Sequence, residues 1–257
     1  MELNGKRVLV TGGTSGIGDA LAGALTAVGA RVVTCGRRNV PGVPEPADGA
    51  GEFGTAGRVA VVADLAVAGE AARVVRLAAA HLGGLDVVVA NAGVQHLLPL
   101  TGGPDAAVLA RAGQEIDVNF RSVVELAAAS WPHLAAAGGP AAFVAVTSGL
   151  AYAPKRTAPV YCATKAAVHV LAQSLRYQAE RETPAVRVQE MVMPLVDTAM
   201  TADREGAVRK LSPADAARAV LRGIERGRPV VPIGASRALL ALLRVHPPLA
   251  HRVLRDG

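Results

Sequence analysis

The chain has 257 residues, 51% of them hydrophobic and 19% charged, which is enough apolar material for a full core and excludes global disorder. Aromatics make up only 3%, so that core must be built mostly from Ala, Val and Leu. Lysines and arginines number 27 against 21 acids, a net charge of +6, but the arginines are scattered and no run of five basic residues occurs. A nucleic-acid binder would cluster such charge along one face or tail, so that class is set aside.

The first residues, MELNGKRVLVTGG, carry neither a long apolar stretch nor a small-residue cleavage site. They lead into RVLV (7–10), the first of seven short β-branched runs. The others are RVVT (31–34), RVAVVA (58–63), DVVVA (86–90), AAFVAVT (141–147), VRVQEMV (186–192) and PVVPI (229–233). Each is nearly continuous in apolar residues, as strands buried on both faces must be. Between them lie amphipathic stretches near 17–28, 67–82, 105–136, 160–181 and 213–226. Strand–helix alternation of this kind predicts right-handed βαβ units and a mostly parallel, seven-stranded sheet with helices on both faces. One doubly wound Rossmann-type domain spanning 1–234 accounts for the pattern.

Two segments stand apart. Residues 39–57, NVPGVPEPADGAGEFGTAG, hold too much Pro and Gly for a helix and read as an exposed loop. The tail 235–257 holds two helical patches split by Pro247 and Pro248, with leucines on one side and arginines on the other. It reads as packed on the domain or at a subunit contact. Cys35 and Cys162 lie far apart without metal-ligand spacing, so neither a disulfide framework nor a metal site is expected. No apolar stretch approaches the ~18–20 residues of a membrane span. The expectation is a cytoplasmic protein without nucleic-acid or membrane partners.

The chemistry gathers at strand ends. The first strand runs through Thr11 into Gly12-Gly13-Thr14-Ser15-Gly16-Ile17-Gly18, and a helix follows directly. Glycines let the backbone approach a phosphate, and the helix N-terminus supplies free N–H groups and a positive dipole end. The turn is not a P-loop, because no Gly-Lys-Ser/Thr follows. The second strand ends at Thr34-Cys35-Gly36-Arg37-Arg38, with no acid where an NAD site hydrogen-bonds the ribose 2′-OH. Arg37 and Arg38 can instead meet a 2′-phosphate. NADP(H) is therefore the expected cofactor, with NAD(H) as a second possibility. Tyr161 and Lys165 are four apart and share a helical face, and Ser148 lies at a strand's carboxyl end thirteen residues before Tyr161.

These residues together resemble the short-chain dehydrogenase/reductase family over about 5–233. The strings NAGVQ (91–95), SGLAYAP (148–154), PVYCATKAAVH (159–169) and PLVDTAMT (194–201) are similar to its DltE-like oxidoreductase subgroup. The resemblance implies that Asn119, Ser148, Tyr161 and Lys165 form a catalytic tetrad, with Asn119 holding a water that links Lys165 to solvent. It implies a cofactor cradle of Gly12, Thr14, Ser15, Gly16, Ile17 and Gly18, with Asp64 and Leu65 at the adenine. Asn91, Ala92 and Gly93 close the fourth strand, and Tyr161 and Lys165 also touch the cofactor. Pro194, Val196 and Thr198 form the segment that closes on the nicotinamide, Pro194-Leu195 standing where the family has Pro-Gly. In the family the long helices form a dimer contact, and the small surface Leu126-Ala127-Ala128-Ala129 permits close helix approach. A homodimer or homotetramer is the implied assembly.

The tetrad's physics can be argued directly. Lowering a tyrosine by ~3 units from its reference of ~10 requires ~4 kcal/mol. One positive charge at ~4 Å supplies about that at an effective dielectric of ~20. Tyr161 would then move the proton, Ser148 would orient the substrate oxygen, and the reaction would interconvert a ketone or aldehyde and an alcohol. A catalytically silent dinucleotide-binding sensor or scaffold is the alternative, and the intact tetrad argues against it. Gln95, His96, Leu97, Leu98, Leu150, Tyr152, Met193 and Met200 are candidates to line an apolar substrate pocket. His169 and Cys162 read as packing residues rather than catalytic ones.

Overall fold

A computed structural model describes residues 1–38, 57–202 and 210–255. Its strands are β1 (Arg7–Thr11), β2 (Arg31–Gly36), β3 (Arg58–Val62), β4 (Val87–Ala90), β5 (Ala141–Ser148), β6 (Val186–Met193) and β7 (Val230–Pro232). They form one seven-stranded sheet in the order β3-β2-β1-β4-β5-β6-β7. Every pairing is parallel, including β1 with both β2 and β4. The chain steps outward from β1 on one side, then returns to β4 on the other. Strand order reverses there, and a crevice opens outside the carboxyl ends of β1 and β4.

Two apolar layers sandwich the sheet, and strand alternation divides residues between them. Val8, Val10, Val32, Val87 and Val89 face one layer, closed by α1 (Gly16–Ala27) and α6 (Pro213–Arg226). Leu9, Val33, Val88 and Phe143 face the other, closed by α2 (Glu70–Leu82), α4 (Ser122–Ala135) and α5 (Pro159–Glu182). All eight residues of β5 are buried, which explains its unbroken apolar run.

Helix ends follow local chemistry. Asp105 accepts from Ala107 and Val108 N–H to cap α3 (Ala106–Ile116). Ser212 caps α6, Pro213 occupies its first turn, and Gly227 ends it at φ +68. The expected single helix over 105–136 is instead α3, a π turn over Asp117–Arg121, and α4. The π turn widens the helix by one residue and buries Asn119 completely.

At the amino ends of the strands, Arg7 and Asp86 close on each other. Arg7 Nε donates to Asp86 Oδ2 at 2.9 Å, Nη2 to Oδ1 at 3.0 Å, and the Arg7 backbone N–H to Oδ2 at 2.8 Å. Burial alone would raise the Asp86 carboxyl, but Arg7 and Lys6 hold it below the usual carboxylate range. The tail forms α7 (Ser236–Val245) and α8 (Pro247–Arg255), broken where the two prolines fall. Leu239 of α7 lies against Gly149, and the Arg255 carbonyl accepts from Arg156 N–H at 2.9 Å, so the tail rests beside the segment that follows β5. Among the described residues no helix is long and apolar enough to cross a membrane. The expected loop 39–57 lies outside the described residues except for Gly57.

Candidate active site

A cleft of about 250 Å³ opens at the reversal of strand order. Gly12, Thr14, Ser15, Gly16, Ile17 and Gly18 line it from the first turn, and Arg37 and Arg38 from the end of β2. Asp64 and Leu65 follow β3 into it, Asn91, Ala92 and Gly93 follow β4, and Thr198 faces them. The turn can be this tight only with glycine. A Cβ on Gly18 would lie 2.1 Å from the Gly12 carbonyl oxygen, and one on Gly12, at φ +66, 2.8 Å from Ala92 Cα. Ser15 heads α1 without a side-chain cap, so the first-turn N–H groups are not taken by a capping oxygen. A bare helix N-terminus, a glycine cradle and two arginines form a donor set that fits the pyrophosphate and phosphates of a dinucleotide.

Met200, a candidate pocket residue, faces the cleft. Several lining residues escaped the sequence reading: Cys35, Ala63, Val94, Val118 and Ala199 also face it. Each adjoins a residue that was legible, so their position in the chain was the available signal. Cys35 is fully buried, and burial pushes its thiol up to about 12, which leaves it unreactive. Pro194 and Val196 do not line the cleft. Val196 is buried in the core, and its carbonyl accepts from Thr201 Oγ1 at 2.6 Å.

The other expected site residues gather beyond Gly93. A Cβ there would lie 3.3 Å from Asn119 Oδ1 and 3.5 Å from Lys165 Nζ, so the fourth strand's glycine is the seam between cleft and tetrad. Asn119 grips Val94: Oδ1 accepts from its N–H at 2.8 Å, and Nδ2 donates to its carbonyl at 2.9 Å. Nδ2 also donates to Thr164 Oγ1 at 3.2 Å, and Thr164 in turn donates to the Tyr161 carbonyl at 2.8 Å. The amide thus ties the end of β4 to α5, a structural task its sequence position did not disclose.

Lys165 is buried, and Nζ donates to the Val146 carbonyl at 3.0 Å. Burial pushes its ammonium down to about 8. Nζ lies 5.8 Å from the centre of the half-buried Tyr161 ring. Ser148 ends β5, and its Oγ accepts from Leu150 N–H at 3.2 Å, which leaves the hydroxyl proton available to another acceptor.

The candidate pocket residues divide. Leu97 and Met200 are exposed, whereas Leu98 and Met193 are buried in packing. Tyr152 turns its hydroxyl away to Glu190. His96 Nε2 meets Gln114 Oε1 at 2.9 Å. The sequence reading also missed Glu115, a buried carboxyl at the end of α3. Its Oε1 accepts from His96 N–H. Burial raises this carboxyl, against the backbone N–H groups of His96 and Tyr161.

Comparison with known proteins agrees with this architecture. A family model described as short chain dehydrogenase matches residues 6–208. The uncharacterized oxidoreductase DltE of Bacillus subtilis is 35% identical over 232 residues, 89% of this chain and 88% of that protein. An uncharacterized oxidoreductase of Staphylococcus aureus is 32% identical over 230 residues, 89% of this chain and 94% of the relative. In fold, the chain is similar to a short chain dehydrogenase from Burkholderia cenocepacia solved in complex with NADP, with TM-score 0.82, 24% identity and 100% of both chains covered. It is also similar to a short chain dehydrogenase/reductase from Burkholderia phymatum in complex with NAD, with TM-score 0.79, 18% identity, and 100% and 97% covered. The chain belongs to the short-chain dehydrogenase/reductase family and is an oxidoreductase with a nucleotide-binding Rossmann fold.

Proposed function

We propose that the protein interconverts an aldehyde or ketone and the corresponding alcohol, with NADP(H) preferred over NAD(H) and Tyr161 as general acid/base. The observation that carries this reading is the buried Lys165 ammonium 5.8 Å from the centre of the Tyr161 ring, one glycine away from the cleft at the reversal of strand order. A unit charge ~4–6 Å from a phenolate oxygen favours the anion by ~3–4 kcal/mol at an effective dielectric of ~20, and the positive ring of an oxidised nicotinamide would add to that.

When bound, the nicotinamide supplies the hydride donor or acceptor. The chain's own residues do the remainder. Tyr161 donates a proton to the substrate oxygen during reduction and takes it back during oxidation. The Ser148 hydroxyl, already fixed through Leu150 N–H, donates to the same oxygen and orients it. Lys165 stabilises the Tyr161 anion. The first-turn N–H groups of α1 hold the pyrophosphate, Arg37 and Arg38 the 2′-phosphate, and Asp64 the adenine.

An NADPH-oxidation screen over ketones, aldehydes and quinones, run beside NADH, tests the reading. Turnover of at least one carbonyl with NADPH is expected. Loss of NADPH without carbonyl consumption, or no turnover with any member, would overturn it.

A further inference from the structure

Glu190 lies on β6 and is completely buried. A buried carboxylate is costly unless several donors face it. Donors reach it from three segments. From β5, Thr147 Oγ1 donates to Oε1 at 2.6 Å. From the turn after β5, the Tyr152 hydroxyl meets both oxygens at 3.1 Å. From α5, His169 Nδ1 lies 2.8 Å from Oε2, and Arg176 Nη2 faces the same oxygen at 4.0 Å.

The protons can be assigned. Burial and the Glu190 charge push the Tyr152 phenol well above its ordinary value, so it stays a donor. Nδ1 of His169 lies 3.0 Å from the Tyr152 hydroxyl as well as 2.8 Å from the carboxylate; a carboxylate only accepts, so the shorter contact assigns the hydrogen to Nδ1. The Tyr152 and His169 rings pack with centroids 4.7 Å apart, which fixes both.

What these donors flank matters more than their number. Thr147 immediately precedes Ser148, and Tyr152 follows it by four residues. His169 stands one helical turn beyond Lys165 on α5. One carboxylate therefore clamps both sides of the serine and the helix that carries Tyr161 and Lys165. None of Thr147, Tyr152, His169, Arg176 and Glu190 lines the dinucleotide cleft.

We infer that Glu190, with Tyr152 and His169, is a positioning device that holds the Ser148 turn against α5 at the spacing hydride transfer requires. The catalytic part of this inference rests on the proposed carbonyl–alcohol function. Misplacement of a reacting group by ~1 Å can cost ~10²-fold, so a partly loosened clamp should be visible in turnover.

Removing Glu190 would strand its donors and endanger folding, so the test uses their side. Tyr152→Phe, His169→Leu and His169→Asn are compared with wild type and with Tyr161→Phe. Asn keeps an N–H near the place of Nδ1, and Leu does not. Three readouts are taken: amide exchange of 148–153, kcat with a carbonyl found in the screen, and NADPH affinity by fluorescence titration. Tyr152→Phe and His169→Leu should speed exchange of that segment and lower kcat about tenfold with NADPH affinity unchanged. His169→Asn should return kcat to within about threefold of wild type. Unchanged exchange in both loss variants, His169→Asn as damaged as His169→Leu, or NADPH affinity falling in step with kcat would overturn the inference. An inactive wild type would refute the carbonyl–alcohol reading instead, and the exchange data would still decide whether the clamp holds the serine turn.

Discussion

The two ends of one sheet handle polar groups in opposite ways. At the amino ends, Arg7 and Asp86 meet side by side through three hydrogen bonds, and the pair completes itself. At the carboxyl ends, Ser15 leaves the first turn of α1 without a side-chain cap, and Lys165 sits buried with a backbone carbonyl as acceptor. Arg37 and Arg38 are exposed at the rim of the cleft. Groups that satisfy one another stabilise a fold; groups left with capacity can bind and react.

The comparison breaks most sharply at Tyr161. Tyr161→Phe should lower kcat by ~10²–10⁴-fold while NADPH still binds, since only the hydroxyl is lost. A stopped-flow assay with parallel binding titration checks this, and a variant keeping more than half the wild-type kcat would refute the role.

Arg37 comes next. A guanidinium on a phosphate is worth ~1.5–3 kcal/mol, or roughly 10–150-fold. Arg37→Ala should erase most of the NADPH preference in kcat/KM and leave NADH kinetics nearly unchanged, with Arg38 contributing less. A preference that survives removal of both arginines would assign discrimination elsewhere.

Lys165 predicts a pH dependence. Its ammonium is pushed down to about 8, so carbonyl reduction should fall as pH rises through that value and the charge beside Tyr161 is lost. The stability sign runs the other way. The folded lysine binds its proton more weakly than the unfolded one, so the burial cost is fully present below pH about 8 and is relieved on going alkaline. Lys165→Met should therefore raise the melting temperature at neutral pH while depressing turnover. Calorimetry beside a pH–rate profile would read both.

The smallest effect on activity belongs to the closed end. Asp86→Asn should cost ~1–3 kcal/mol of stability and leave kcat within about twofold. Because the Asp86 carboxyl is held below its ordinary range, that stability is present at neutral pH and lost as pH falls through the folded value. Denaturation at pH 7 and in acid would show the difference shrinking.

Much of this was legible in the chain. Strand runs such as AAFVAVT, the glycine turn and the Tyr161–Lys165 spacing are local patterns with direct physical meaning. The break at Pro247 is equally local. The π turn around Asn119 was not legible, because apolar periodicity carries no mark of a single inserted residue. Glu190 was hidden differently. Its run reads as a buried strand, and its donors Thr147, Tyr152 and His169 lie 43, 38 and 21 residues away. Glu115 likewise meets His96 and Tyr161 only through tertiary packing.

We propose that the carboxyl end of the sheet is left open for a dinucleotide carrying a 2′-phosphate. Calorimetric titration of the wild-type protein with NADPH, and separately with NADH at the same salt, tests it directly. One NADPH per chain is expected, bound about tenfold or more tightly than NADH. No saturable binding of either, or NADH bound as tightly as NADPH, would contradict it.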